Sequence, residues 1–139
     1  MATGDVVVFE ESKALMLSGG WEAADDIKLA ICDNTAVPTA AFATPALGDF
    51  TEVIATGTYT TGGTSLGTYT SCVVEAAGVM TFDSATNPTW AADALNSTTA
   101  YWGIIYNDTD AGNAAIAFVE LGGPVDMVAG ALTVEWNAS

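Results

Sequence analysis

The residues with the best spacing for chemistry are Asn107, Asp108, Thr109, Asp110, Gly112 and Asn113, a short run that sets oxygen ligands at alternate positions. Hard oxygen donors at that spacing suit calcium, and Asp108 and Asp110 are the candidate ligands. Set against a calcium loop of the EF-hand type, the third alternating ligand is missing, Gly112 falls one place early, and the twelfth position is Val119. Asn, Asp and Gly are also the residues a tight turn requires for its own backbone. The run therefore reads as a hairpin turn first and a calcium site second, with no cofactor or metal expected.

Other chemistry is limited by what the chain lacks. It has no histidine, hence no Ser-His-Asp triad, no Cys-His pair and no imidazole ligand for zinc. Ten Asp and seven Glu could supply a glycosidase-like carboxylate pair, but no spacing selects one. The glycines of Gly57–Gly63 lack a P-loop lysine and a following helix, so they read as a turn. Cys32 and Cys72 stand 40 positions apart in β-like sequence; two buried thiols are the favoured reading, with a disulfide as the alternative. Four tryptophans raise a sugar-stacking surface. Trp102 and Trp136 lie in apolar strand patterns, whereas Trp21 and Trp90 sit in polar contexts that could leave them exposed; core or subunit interface is the favoured reading for the set. Asn96, Asn107 and Asn137 match the glycosylation acceptor pattern. The sum of these features predicts a protein that is not an enzyme.

Charge narrows the partners. Seventeen acidic residues face only Lys13 and Lys28, a net of −15. Nucleic acid is excluded, because binding to phosphate backbones depends on Lys and Arg displacing counterions. Anionic membranes are disfavoured on the same ground. No apolar run approaches the roughly 20 residues of a membrane span, and Met1–Phe9 has no basic residue to begin a secretory signal, so a soluble, non-secreted chain is expected.

The elements that must position these residues read as mainly β, one domain over 1–139. Two apolar runs flanking the Asn107–Asn113 turn form a hairpin, Tyr101–Leu121, apolar on both faces and hence central. Trp102, Ile104 and Tyr106 share one face of its first arm; Ile116 and Phe118 share one face of its second. Ile27–Cys32 alternates as a strand with one buried face, Thr51–Ile54 is a short strand, and Tyr69–Glu75 pairs with Val79–Asp83 across Ala76-Ala77-Gly78. Gly122-Gly123-Pro124 breaks the ladder, and Ala131–Trp136 closes the chain as a strand with Leu132, Val134 and Trp136 on its apolar side. Residues 5–18 read as a helix or arm, capped by Thr3 or Asp5 and stopped at Gly19-Gly20. Residues 33–50, interrupted by Pro38 and Pro45, form a long loop. Seven or eight strands without helical crossovers predict an antiparallel two-sheet sandwich, jelly-roll-like, with one short N-terminal helix.

The order of these pieces resembles the small capsid decoration, or cement, proteins of tailed bacteriophages. The resemblance spans most of the chain. It is carried by Glu11–Gly20 leading into the Ile27–Ile31 strand, Gly57–Gly63, the Thr89-Trp90 turn, the Tyr101–Tyr106 strand and Val134–Ala138. The Ala-Thr-Pro stretch of residues 33–50 and the absence of arginine depart from that pattern. The resemblance implies a jelly-roll-like structural protein made in the host cytoplasm and placed on the outer surface of a phage head. There it would bridge major capsid protein subunits, as a homo-oligomer for which a trimer is plausible. Contact is expected through the N-terminal segment and the long loop, at Val6, Val7, Phe9, Trp21, Val37, Phe42 and Leu47. The alternative is a receptor- or glycan-binding module of a phage tail or adhesin, using Trp21 or Trp90.

Overall fold

The computed structural model describes residues 4–77 and 79–136. Its centre is a five-stranded antiparallel sheet in the order β1-β8-β7-β2-β3, formed by β1 (Val6–Val8), β2 (Asp26–Cys32), β3 (Thr64–Thr68), β7 (Ala100–Asn107) and β8 (Ala115–Val125). Two small antiparallel pairs accompany it, β4 (Val73–Ala76) with β5 (Val79–Phe82), and β6 (Thr89–Trp90) with β9 (Leu132–Thr133). Helices are short: α1 (Glu10–Leu17), α2 (Tyr69–Cys72) and a 3-10 turn at Leu47–Asp49. The fold is thus mainly β with antiparallel sheets, and none of its sheets closes on itself. No helix among the described residues is long and apolar enough to cross a membrane.

The β7–β8 hairpin is central, as its two-sided apolar pattern requires. Strand β2 pairs along the other side of β7, with Leu29 opposite Ile105 and Ile31 opposite Gly103. Burial on both faces follows. Ile27, Leu29, Ile31, Ile105 and Ala117 face a core completed by Tyr59, Leu66, Cys72, Trp90, Met127, Leu132 and Val134. Ala30, Cys32, Trp102, Ile104, Tyr106 and Phe118 face a second core completed by Phe9, Leu47 and Phe50. The expectation of one buried face for β2 is therefore corrected. Its small residues, Ala30 and Cys32, let the 33–50 loop lie against the sheet.

Several other expectations change. Val6–Val8 is a strand rather than the start of a helix: its β-branched run pairs with β8, Val6 opposite Val119 and Val8 opposite Ala117. The helix begins only after Phe9, its N-cap, which offers no side-chain cap; Thr3 lies outside the described residues. It ends as expected, with Gly19 at φ +78° and the Gly20 N–H donating to the Leu15 carbonyl. Thr51–Ile54 contributes a single bridge, Cys32 to Glu52, instead of a strand. The strand Thr64–Thr68 was hidden by its Thr and Gly content. The β4–β5 hairpin starts at Val73, because Tyr69–Cys72 winds into a helical turn.

Gly122-Gly123-Pro124 does not interrupt β8, which runs on until Val125 pairs with Ala100. Glycine is required there: a Cβ on Gly123 would overlap the Ala100 carbonyl oxygen. The last β8 position paired with β1 is Val119, so Pro124 removes no ladder donor on that side. A register shift at Ile105/Tyr106 makes Ile116 the extra residue of β8 and turns it into the first core, away from Phe118.

Candidate functional site

The Asn107–Asn113 run is a turn whose side-chain oxygens are engaged by the turn's own backbone and by neighbouring side chains. Asn107 Oδ1 accepts the N–H groups of Thr109 and Asp110, and Asp110 Oδ2 accepts those of Gly112 and Ala114. Asp108 Oδ2 pairs with Lys28 Nζ at 2.7 Å, which raises the lysine pKa through that hydrogen bond. The residues proposed for calcium thus have other partners. Among the described residues, no group of three or more His, Cys, Asp or Glu gathers as a metal site.

The most concentrated polar chemistry lies elsewhere, where β3 stops short of the end of β2. The Tyr59 ring is buried, and its hydroxyl accepts the Ile31 N–H at 3.1 Å while donating to Glu52 Oε2 at 2.6 Å. The same Glu52 oxygen accepts the Gly62 N–H at 2.7 Å, and Tyr106 donates to the Gly62 carbonyl at 2.8 Å. Burial, then the Glu52 carboxylate, pushes the Tyr59 pKa up; burial, then the charge of Asp108, does the same to Tyr106. Neither phenol ionises near neutral pH, so the group stitches loop to sheet rather than transferring protons. Gly63 belongs to this junction: at φ +71° its Cα lies so close to β2 that a Cβ would overlap the Leu29 carbonyl.

Cys32 and Cys72 are free and buried, as the favoured reading had it. Burial, with Glu52 and Asp33 adding negative charge nearby, pushes the Cys32 thiol up to about 12. Such a thiol is inert. The tryptophans form no exposed stacking surface. Trp90 is buried against Tyr59, in line with the core reading favoured for the tryptophans; Trp102 donates to Asn34, and Trp136 is partly buried and donates to Ser84. Trp21 is partly buried and donates to the Ser12 carbonyl. Of the glycosylation acceptors, Asn96 and Asn107 are buried and Asn137 lies outside the described residues.

The expected contact residues divide. Val6 and Val37 are exposed. Val7 and Phe42 are partly buried against the second core, Phe42 packing on Phe50. Phe9 and Leu47 are corrected: both are inside that core, Phe9 stacked between Phe50 and Phe118, and neither reaches the surface. The 33–50 loop is thus partly a core cover. Beside α1, Val8, Met16, Phe82 and Ile116 line an apolar groove of about 240 Å³ with Lys13 at its rim.

What sequence reasoning missed is a rigid loop junction built on Asn96. Its Oδ1 accepts the Thr58 and Tyr59 N–H groups, and its Nδ2 donates to Thr58 Oγ1 and to the carbonyls of Ala91 and Met127. Three segments distant in sequence, around residues 54–59, 91–97 and 126–130, meet there. The sequence around Asn96, Asp93-Ala94-Leu95 before it and Ser97-Thr98-Thr99 after it, carries no signal beyond the acceptor motif. Comparison with known protein families, with curated proteins and with solved structures gave no match for this chain.

Proposed function

We propose that the chain is a non-enzymatic virion structural protein that decorates a phage capsid and stabilises it by bridging major capsid protein subunits. The observation that carries this reading is the use made of the polar side chains. Glu52, Asn96, Asn107 and Asp110 each accept backbone N–H groups of turns or loops, and Glu52, Asn96 and Asn107 also bond the side chains of Tyr59, Thr58 and Asp25, a use that suits a chain selected for rigidity rather than turnover. The order of sequence pieces supports it, as does a two-sided core that fixes every strand of the main sheet. In the same reading the β4–β5 and β6–β9 pairs are remnants of a second layer, giving a sandwich-like architecture on the outer surface of a phage head. The acidic exterior keeps free copies apart before assembly and favours a basic partner surface. The glycan-binding alternative is weakened by the burial of Trp90. Adding purified protein to undecorated shells of the source phage is expected to raise their disruption temperature. No change with protein in excess would refute the proposal.

A further inference from the structure

Three of the exposed large apolar residues stand on loops that hydrogen bonds join to one another. Ile54 and Leu95 are more than 60% exposed and Val128 is 36% exposed, with alanines beside each. Hydrogen bonds set their three loops side by side. Thr56 Oγ1 donates to the Leu95 carbonyl, the Asp93 N–H to the Met127 carbonyl and the Met127 N–H to the Ser97 carbonyl, besides the Asn96 contacts already described. Each exposed apolar residue stands within two positions of one of these links. Charge is sparse as well. In a chain with 17 acidic residues, the segments 54–58, 91–99 and 127–131 carry one, Asp93, with Asp126 at their margin. Both carboxylates already accept backbone N–H groups, Asp93 from Leu95 and Asp126 from Val128 and Ala129. Large apolar side chains gathered at one place and rimmed by polar groups mark interaction sites. Loops fixed in advance lose little conformational freedom when covered.

We propose that these joined loops form the docking face for a protein whose complementary site is an apolar socket rimmed by lysine or arginine. It is taken to be the shell subunit of the proposed function, on which that part of the inference rests. Charge selects this occupant over a second copy. Two copies set face to face would bring Asp93 and Asp126 of both together, on chains that each carry −15. A basic rim meets the same carboxylates favourably and speeds encounter. Leu95, Ile54 and Val128 then fill the socket, and a few well-packed residues near the centre of an interface carry most of its affinity.

Two probes separate this inference from the reading beneath it. The first is an amphipathic peptide of alternating leucine and lysine, titrated against the wild type, Leu95→Asp, Ile54→Asp and the equally charged control Leu17→Asp, whose target residue is 91% exposed on α1. Leu95→Asp and Ile54→Asp are each expected to weaken peptide binding about tenfold, despite the added negative charge, with melting temperatures unchanged and Leu17→Asp neutral. Absence of peptide binding, equal affinity across the series, or a larger loss in Leu17→Asp overturns the inference. The second probe is the undecorated shell: co-sedimentation of the wild type, lost in Leu95→Asp, supports the inference and the function together. The peptide pattern without shell binding refutes the shell as occupant and leaves the docking face standing. Self-association abolished by Leu95→Asp would identify a second copy and overturn the proposed occupant.

Discussion

Replacing Tyr59 with Phe removes one oxygen from the junction where β3 gives way and the 51–53 segment takes over beside β2. The hydroxyl satisfies the Ile31 N–H, a donor in a fully buried residue, and donates to Glu52. A buried donor left without a partner costs about 1–3 kcal/mol. Glu52 is partly exposed, keeps the Gly62 N–H and regains water, so its loss adds less than about 1 kcal/mol. A total of about 1–4 kcal/mol corresponds to a fall in melting temperature of roughly 4–14 °C for a domain of this size. Thermal melting followed by circular dichroism measures the total, and amide hydrogen exchange localises it: the Ile31 amide should lose protection while Ile105, in the neighbouring strand, keeps its own. A fall of less than about 2 °C with an unchanged Ile31 amide would refute the assignment of the Tyr59 hydroxyl as the missing ladder partner.

Ser12 is fully buried in α1, and its hydroxyl has no partner among the described residues, so Ser12→Ala should leave stability unchanged or raise it by up to about 1 kcal/mol; a clear loss in the melting curve would mean the hydroxyl has a partner. Cys32 should resist thiol reagents at pH 8 in the native state and react once the chain is unfolded. Because its folded pKa is raised from 9.0 to about 12, the stability it contributes is full below about pH 9 and is lost as pH rises toward 12; urea melts over that range check the sign, and stability rising with pH would contradict it. Asp110→Ala should destabilise the β7–β8 turn by about 1–2 kcal/mol by releasing two backbone donors. Millimolar calcium should not raise the melting temperature of the wild type; a calcium-dependent rise would restore the metal reading.

What was legible in the sequence was what local pattern alone decides. The β7–β8 hairpin announced its central place through apolar residues on both faces, and β2 through its alternation. The Gly19 stop also needed only local chemistry, and the two lone cysteines were placed as buried thiols. Misreadings came where distant partners overrode local preference. Val6–Val8 joined a sheet because β8 was there to receive it, although the following residues favour helix. The Gly122–Pro124 stretch stayed in β8 because the backbone of Ala100 and Tyr101 comes too close for any side chain at Gly123. Phe9 and Leu47, apolar residues in a presumed arm and loop, were drawn into the core by the small faces of Ala30 and Cys32. Asn96 could not be recognised at all. A hub is defined by the segments that converge on it, and those lie over 30 positions away on either side.

The proposed decoration of a phage head by this chain is checked in the plainest way by cryo-electron microscopy of the source particle. Density for this fold is expected to repeat across the head lattice, with the Ile54, Leu95 and Val128 end turned toward the shell. Density confined to the tail tip, or none on the head, would contradict it.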